Sequence, residues 1–109
     1  MDYKQKLEYQ SNYWYNDGLK KAQIRDLSGA IVSLKRSLQF NRENITARNL
    51  LGLVYYGRGE VAEALVEWII SKNFRVSENI ASYYISKVQD NPSELEKVNQ
   101  AVHKYNQCL

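Results

Sequence analysis

Apolar side chains recur every three to four residues along most of the chain, which is the spacing of amphipathic helices. In the clearest segment, Ala30, Leu34 and Leu38 repeat every four residues, and Ile31 widens the apolar stripe. No segment alternates apolar and polar residues between turn signals, so no strand is predicted. Glycine (5) and proline (1) are scarce, and because both residues disfavour helices, their scarcity is consistent with a helical chain. The pattern predicts an all-α protein.

Short polar breaks divide the chain into six predicted helices, and such short connections make successive helices antiparallel neighbours. Residues that can cap a helix stand at the breaks: Asn41 to Asn44, Ser77, and the start signal Asn91-Pro92-Ser93-Glu94,. The predicted helices cover about residues 3–23, 27–40, 45–58, 60–72, 78–89 and 92–109.

The chain contains a sequence repeat. Three pairs of residues share one separation: Gly18 with Gly52, Ala30 with Ala64, and Leu34 with Trp68. In both copies the glycine, the alanine and the large apolar residue follow one another at the same spacing. The shared separation is the period of tetratricopeptide repeats, abbreviated TPR, in which one helix pair occupies about 34 residues.

Residues 45–78 resemble a TPR in more detail. The segment from Leu51 to Tyr55 matches the signature of the first helix, Gly59 occupies the turn, and Ala64 with Trp68 matches the small-then-aromatic pair of the second helix. Residues 11–44 form a less complete first repeat, and residues 79–109 form a degenerate third. The resemblance implies one TPR-like domain over 1–109, with helix pairs stacked as a short right-handed superhelix.

The resemblance also implies a function, which is to bind a peptide or helix of another protein without catalysis. First helices line the concave face of such a stack. Carried over position by position, the groove residues are expected to be Asn12, Tyr15, Asn16, Leu19, Gln23, Asn49, Leu53, Tyr56, Tyr83, Tyr84 and Lys87. Asparagine can pair with a peptide backbone, and tyrosine is common at interfaces.

One specialised form of the family's binding is not expected here. Chaperone-binding TPR domains hold a terminal carboxylate with a Lys-Asn-Asn-Lys-Arg set of side chains. The corresponding positions in this chain are Tyr15, Leu19, Leu50, Ile80 and Tyr84. None matches, so an acidic chaperone tail is not the expected ligand by that mechanism.

Two other functions stay open. Self-association is the first alternative, because an uncapped end of a repeat stack exposes apolar surface. Nucleic-acid binding is the less favoured alternative, because the net charge of +3 is mild and basic residues are interleaved with acidic ones,. The basic residues that would serve it lie in and around the first repeat: Lys20, Lys21, Arg25, Lys35 and Arg36.

Catalytic and metal chemistry is not predicted, and no cofactor is expected. The chain has one histidine, His103, and one cysteine, Cys108, and their spacing of five does not put them on one helical face. Glu60, Glu63 and Glu67 share one side of a predicted helix and are expected to form a solvated face. Trp14 and Trp68 occupy packing positions of the family and are expected in the core.

The predicted location is the cytoplasm. The start of the chain is polar, and no apolar run approaches the roughly 20 residues that cross a bilayer. Residues 105–109 resemble residues 15–19, as though a new first helix began there. We therefore expect the chain to be the front part of a longer repeat protein, with an ordinary terminal helix as the alternative.

Overall fold

A computed structural model describes residues 1–88, which form five α-helices. They are α1 Tyr3–Gln23, α2 Leu27–Phe40, α3 Ile45–Gly57, α4 Val61–Phe74 and α5 Ala81–Val88. These residues contain no strand, so the all-α prediction is confirmed for them. The predicted sixth helix lies outside the described residues.

The first four helices begin close to where the sequence predicts, and side chains cap three of them. Asp2, Asp26 and Asn44 each accept a hydrogen bond from the backbone N–H three residues further on, which satisfies a donor that the helix itself leaves free. The predicted bounds of α1 and α2 are those observed, and those of α3 and α4 differ by at most two residues.

The predicted start of the fifth helix is wrong. Ser77 does not cap it, because Glu78 has a left-handed φ of 54° and separates Ser77 from the helix. Instead the Asn79 side chain accepts a hydrogen bond from the Ala81 N–H at 3.0 Å, and α5 begins at Ala81.

Helices α1 and α2 pack as an antiparallel pair. Buried Ser11 and Ser37 exchange two hydrogen bonds, since each hydroxyl donates to the other's backbone carbonyl, at 2.8 and 2.7 Å. Further along α1, Gly18 lies against Leu34, where an added Cβ would stand 2.7 Å from Leu34 Cγ. Residue numbers rise along α1 as those of its partners fall along α2.

The next helix pair, α3 and α4, repeats this arrangement. Gly52 lies against Trp68, as Gly18 lies against Leu34. The guanidinium of Arg48, near the start of α3, lies 5.8 Å from the ring of Phe74 at the end of α4. Because α5 packs on α4 in turn, every described helix contacts the next one along the chain.

The described core has two parts that meet at Tyr55, which packs against both. The first, between α2 and α3, consists of Ala30, Ile31, Leu34, Ala47, Leu51 and Val54. The second, between α4 and α5, consists of Ala64, Leu65, Trp68, Ala81 and Ile85. None of the described helices has the length and apolar character needed to cross a membrane.

Candidate functional site

An open pocket of about 330 Å³ lies between α3, α4 and α5, and we call it the aromatic pocket. Its lining residues are Leu53, Tyr56, Trp68, Tyr83, Tyr84, Lys87 and Val88. All of them except Trp68 and Val88 are groove residues predicted from the sequence, and they come from α3 and α5. The fold therefore brings these predicted positions of the second and third repeats together.

Trp68 forms the floor of the aromatic pocket. Its side chain is only 2% exposed, and its Nε1 donates a hydrogen bond to the backbone carbonyl of Asn49 at 3.2 Å. The indole ring lies 5.0 Å from the ring of Tyr84 and 6.2 Å from that of Tyr56. Such tilted contacts between rings add to the stability that burial provides, so the floor is held from three sides.

The outer wall of the aromatic pocket comes from α5. Tyr83 packs edge-on against Tyr84, with 5.9 Å between ring centres. The Lys87 ammonium lies 5.2 Å from the Tyr83 ring, within the range of a cation–π contact. Because residues 83 and 87 are one turn apart on the same side of the helix, the sequence spacing places this cation at the rim.

A second pocket, of about 230 Å³, lies between the α1–α2 connection and α3, and we call it the Arg25 pocket. Its lining residues are Ala22, Arg25, Leu27, Leu50, Leu53, Val54 and Gly57. Leu53 lines both pockets, so the two are neighbours on either side of one side chain. The sequence did not predict the Arg25 pocket beyond Leu53.

Five other predicted groove residues lie on α1, and none of them lines either pocket. Asn12 is exposed, and its Oδ1 accepts a hydrogen bond from Asn44 at 3.2 Å. Asn16 lines a separate small pocket beside Tyr13, Asp17 and Lys20. The remaining three occupy different environments: Tyr15 and Leu19 are half-buried, and Gln23 is exposed at the end of α1.

Asn49 lies inside the fold rather than in a groove. It is 8% exposed, and its Nδ2 donates to Asn79 Oδ1 at 2.9 Å. Its own Oδ1 is buried and has no hydrogen-bond partner among the described residues. The structure thus places this amide between α3 and the start of α5, where it is not open to a partner.

Glu67 does not belong to a solvated face, and that prediction is wrong. Its carboxylate pairs with Arg48 at 3.1 Å, with side-chain exposures of 15% and 7%. Burial raises the pKa of Glu67, and the Arg48 charge offsets part of that rise. Arg48 also donates to the backbone carbonyl of Arg42 at 2.8 Å. The sequence does carry a signal, since the corresponding positions of the first repeat hold the uncharged Trp14 and Ser33.

The two tryptophans differ in environment. Trp68 is in the core, as predicted. Trp14 is only partly buried, and the guanidinium of Arg36 lies 4.7 Å from its ring. Among residues 1–88, no group of three or more His, Cys, Asp or Glu side chains is placed to hold a metal ion. His103 and Cys108 lie outside the described residues.

Residues 1–88 define a class of structure: an all-helical fold that repeats one glycine-to-large-residue contact in successive helix pairs and has two adjoining open pockets. The chain is similar to the BBSome complex member bbs-4 of Caenorhabditis elegans, with 31% identity over 93 residues. That alignment covers 80% of this chain and 20% of the relative, so the chain spans about one fifth of the relative's length. No family model matches the chain, and no solved structure matches it.

Proposed function

We propose that the chain is a non-catalytic protein-interaction module that binds a segment of a partner protein across the aromatic pocket and the Arg25 pocket. The observation that carries the proposal is the convergence of Leu53, Tyr56, Tyr83, Tyr84 and Lys87 in one pocket. Side chains from two separate helices form this surface around a rigid tryptophan floor.

The exposure of these side chains supports an interaction role. Tyr56 is 49% exposed, Tyr83 is 55% exposed and Leu53 is 38% exposed. Contiguous exposed apolar surface marks sites of interaction, and tyrosine is enriched among the residues that dominate binding energy. A preformed pocket with aromatic walls suits a protruding apolar side chain.

The TPR-type arrangement is part of this proposal. Its support is the equivalence of the Gly18–Leu34 and Gly52–Trp68 contacts, which are separated along the chain by the TPR period of about 34 residues. Since the relative is described as a member of the BBSome complex, we propose that the partners are subunits of a multiprotein assembly of that kind.

The test compares two double variants in binding to purified BBSome subunits, measured by biolayer interferometry. Tyr56→Ser with Tyr83→Ser should weaken binding about tenfold or more, because the few residues that dominate binding, among which tyrosine is enriched, cost more than about 1 kcal/mol each on truncation. The control, Tyr3→Ser with Tyr9→Ser, alters exposed tyrosines of α1 and should bind normally. Equal binding by both variants, with unchanged melting temperatures, would refute the proposed binding site. If none of the subunits binds the unaltered chain, the proposed class of partner is wrong.

A further inference from the structure

We infer that the two pockets together select an acidic peptide with two bulky apolar side chains, one for each pocket, and a carboxylate near each. This inference rests on the proposed function and specifies the chemistry of the partner segment. It follows from the way the pockets adjoin, from their size, and from the charges at their rims.

The pockets adjoin at Leu53, which lines both. Their volumes, about 330 and 230 Å³, are at or below the low end of the roughly 300–1,000 Å³ typical of small-molecule sites. Each is therefore suited to one large side chain rather than to a cofactor. A single ligand that fills both must cross Leu53, which suits a peptide with two anchors.

Each pocket has one charged lining residue, and both are basic. Lys87 lies over the Tyr83 ring at the edge of the aromatic pocket, and Arg25 borders the other pocket. No acidic side chain is among the residues described as lining either pocket. A carboxylate beside each apolar anchor would complement these charges, which would raise the specificity and the association rate of the peptide.

Nearby carboxylates are already engaged elsewhere. Asp26 follows Arg25 in sequence, but its Oδ1 accepts the Gly29 N–H at 3.0 Å and caps α2. At the end of α3, Glu60 pairs with Arg58 at 2.7 Å. The backbone of Arg25 is held in place, because its N–H donates to the Ala22 carbonyl at 3.0 Å with a φ of 66°.

These features favour a peptide over a nucleic acid. A nucleic acid is held mainly by basic side chains that contact successive phosphates, whereas here one cation stands beside each apolar pocket. Sequence-tolerant binding of single strands combines aromatic stacking with a basic groove that follows the backbone, and each pocket here has one basic lining residue instead of such a groove. The charges here are arranged to accompany apolar anchors.

The test uses the full chain and fluorescent peptides that contain two leucines at varied spacing, each beside a glutamate. Matched sets replace the glutamates by lysines or the leucines by serines, and fluorescence anisotropy measures the affinity. The glutamate set should bind best. Arg25→Glu with Lys87→Glu should reverse the preference in favour of lysine, by about two- to fivefold for each exposed ion pair. Lys6→Glu, an exposed change on α1, is the charge control and should retain the glutamate preference.

The outcomes separate this inference from the proposed function. If leucine peptides bind equally well with glutamate or lysine, the inferred selection of acidic peptides is wrong, but the proposed binding across the two pockets is retained. If no peptide binds, and Tyr56→Ser with Tyr83→Ser leaves capture of BBSome subunits intact, the proposed function fails. Binding of a mixed-sequence oligonucleotide that the double charge reversal abolishes would overturn the choice of a peptide. Concentration-dependent dimerisation that the double charge reversal abolishes would also overturn the choice of a peptide, because the ligand would then be a second copy of the chain.

Discussion

The indole of Trp68 lies directly against the backbone of Gly52, where an added Cβ would stand 2.7 Å from both Cδ1 and Cε2. The same relationship holds in the preceding helix pair between Gly18 and Leu34. Both glycines are inside helices, where glycine is less stable than alanine unless the packing requires a residue without a side chain. The requirement here is space, since the partner helix could not otherwise approach as closely.

Gly52→Ala should therefore destabilise the protein, although alanine is the better helix former. Trp68 is buried and hydrogen-bonded, so it cannot yield without loss, and overpacking of this kind costs about 1–3 kcal/mol. Thermal unfolding followed by circular dichroism should show a lower melting temperature. An increase would mean that Trp68 has room to move.

The matched control is Gly57→Ala, at the last position of α3. There an added Cβ meets nothing closer than Leu27 Cδ1 at 3.7 Å, which is ordinary contact. This change should stabilise the protein by about 0.4–1 kcal/mol, because alanine has fewer unfolded conformations to lose. Opposite signs for the two glycines would establish that close packing, rather than helix propensity, determines the residue at position 52.

Arg48→Met should be among the most destabilising single changes in the described helices. It leaves the Glu67 carboxylate buried without its ion-pair partner, and breaking a buried pair in this way costs about 3–5 kcal/mol. Combining it with Glu67→Leu should recover most of the loss, because a well-packed apolar pair can replace a buried ion pair. Urea unfolding at neutral pH measures both; equal losses for the single and double variants would contradict the prediction.

Glu67 should also make stability depend on pH. Burial raises its pKa above the ordinary value of 4.5, so the folded state binds this proton more tightly than the unfolded state does. The contribution of Glu67 to stability therefore falls as pH rises from 4.5 through the raised pKa,. As the pH rises across that range, the unfolding free energy of the wild type should fall relative to that of Glu67→Gln. Parallel curves would show that the pKa of Glu67 is the same in both states.

Asn79→Ala should loosen α5 in particular. The Asn79 amide donates to Ser71 Oγ and to the Arg75 carbonyl, at 2.9 and 3.1 Å, and its Oδ1 accepts from Ala81 N–H and from Asn49. Loss of this amide leaves buried partners unpaired, which should lower the free energy of unfolding by about 1–3 kcal/mol. Hydrogen exchange of α5 amides should accelerate more than that of α1 amides. Ser71→Ala removes only one of these bonds and should have a smaller effect; uniform acceleration would contradict the local role.

Most of the described helical framework could be predicted from the sequence, because local signals determine it. Apolar spacing and the short polar breaks, such as Asn41 to Asn44, placed the first four helices to within two residues. The shared separation of Gly18 from Gly52 and of Leu34 from Trp68 predicted a repeat, and the structure shows an equivalent contact in each helix pair. Leu53 and Tyr56, which the family resemblance assigns to the groove, line the aromatic pocket together; their role in binding stays a prediction.

The rest depends on contacts that one helix alone does not encode. Glu60, Glu63 and Glu67 follow one another at intervals of three and four residues, and their spacing does not reveal that Glu67 pairs with Arg48 across the helix pair. Asn49 was expected in the groove, but Asn79 engages its amide after the chain turns back. The Arg25 pocket likewise forms between the α1–α2 connection and α3, which are separate in sequence.

The position of Trp68 under the aromatic pocket gives the molecule its own optical reporter. The chain has two tryptophans, and the other, Trp14, lies on α1 beside Arg36. Replacing Trp14 by phenylalanine would leave one indole, in contact with the tyrosines that line the pocket. Its emission would then change with whatever displaces water from those rings, so occupancy could be followed in unlabelled protein and in real time.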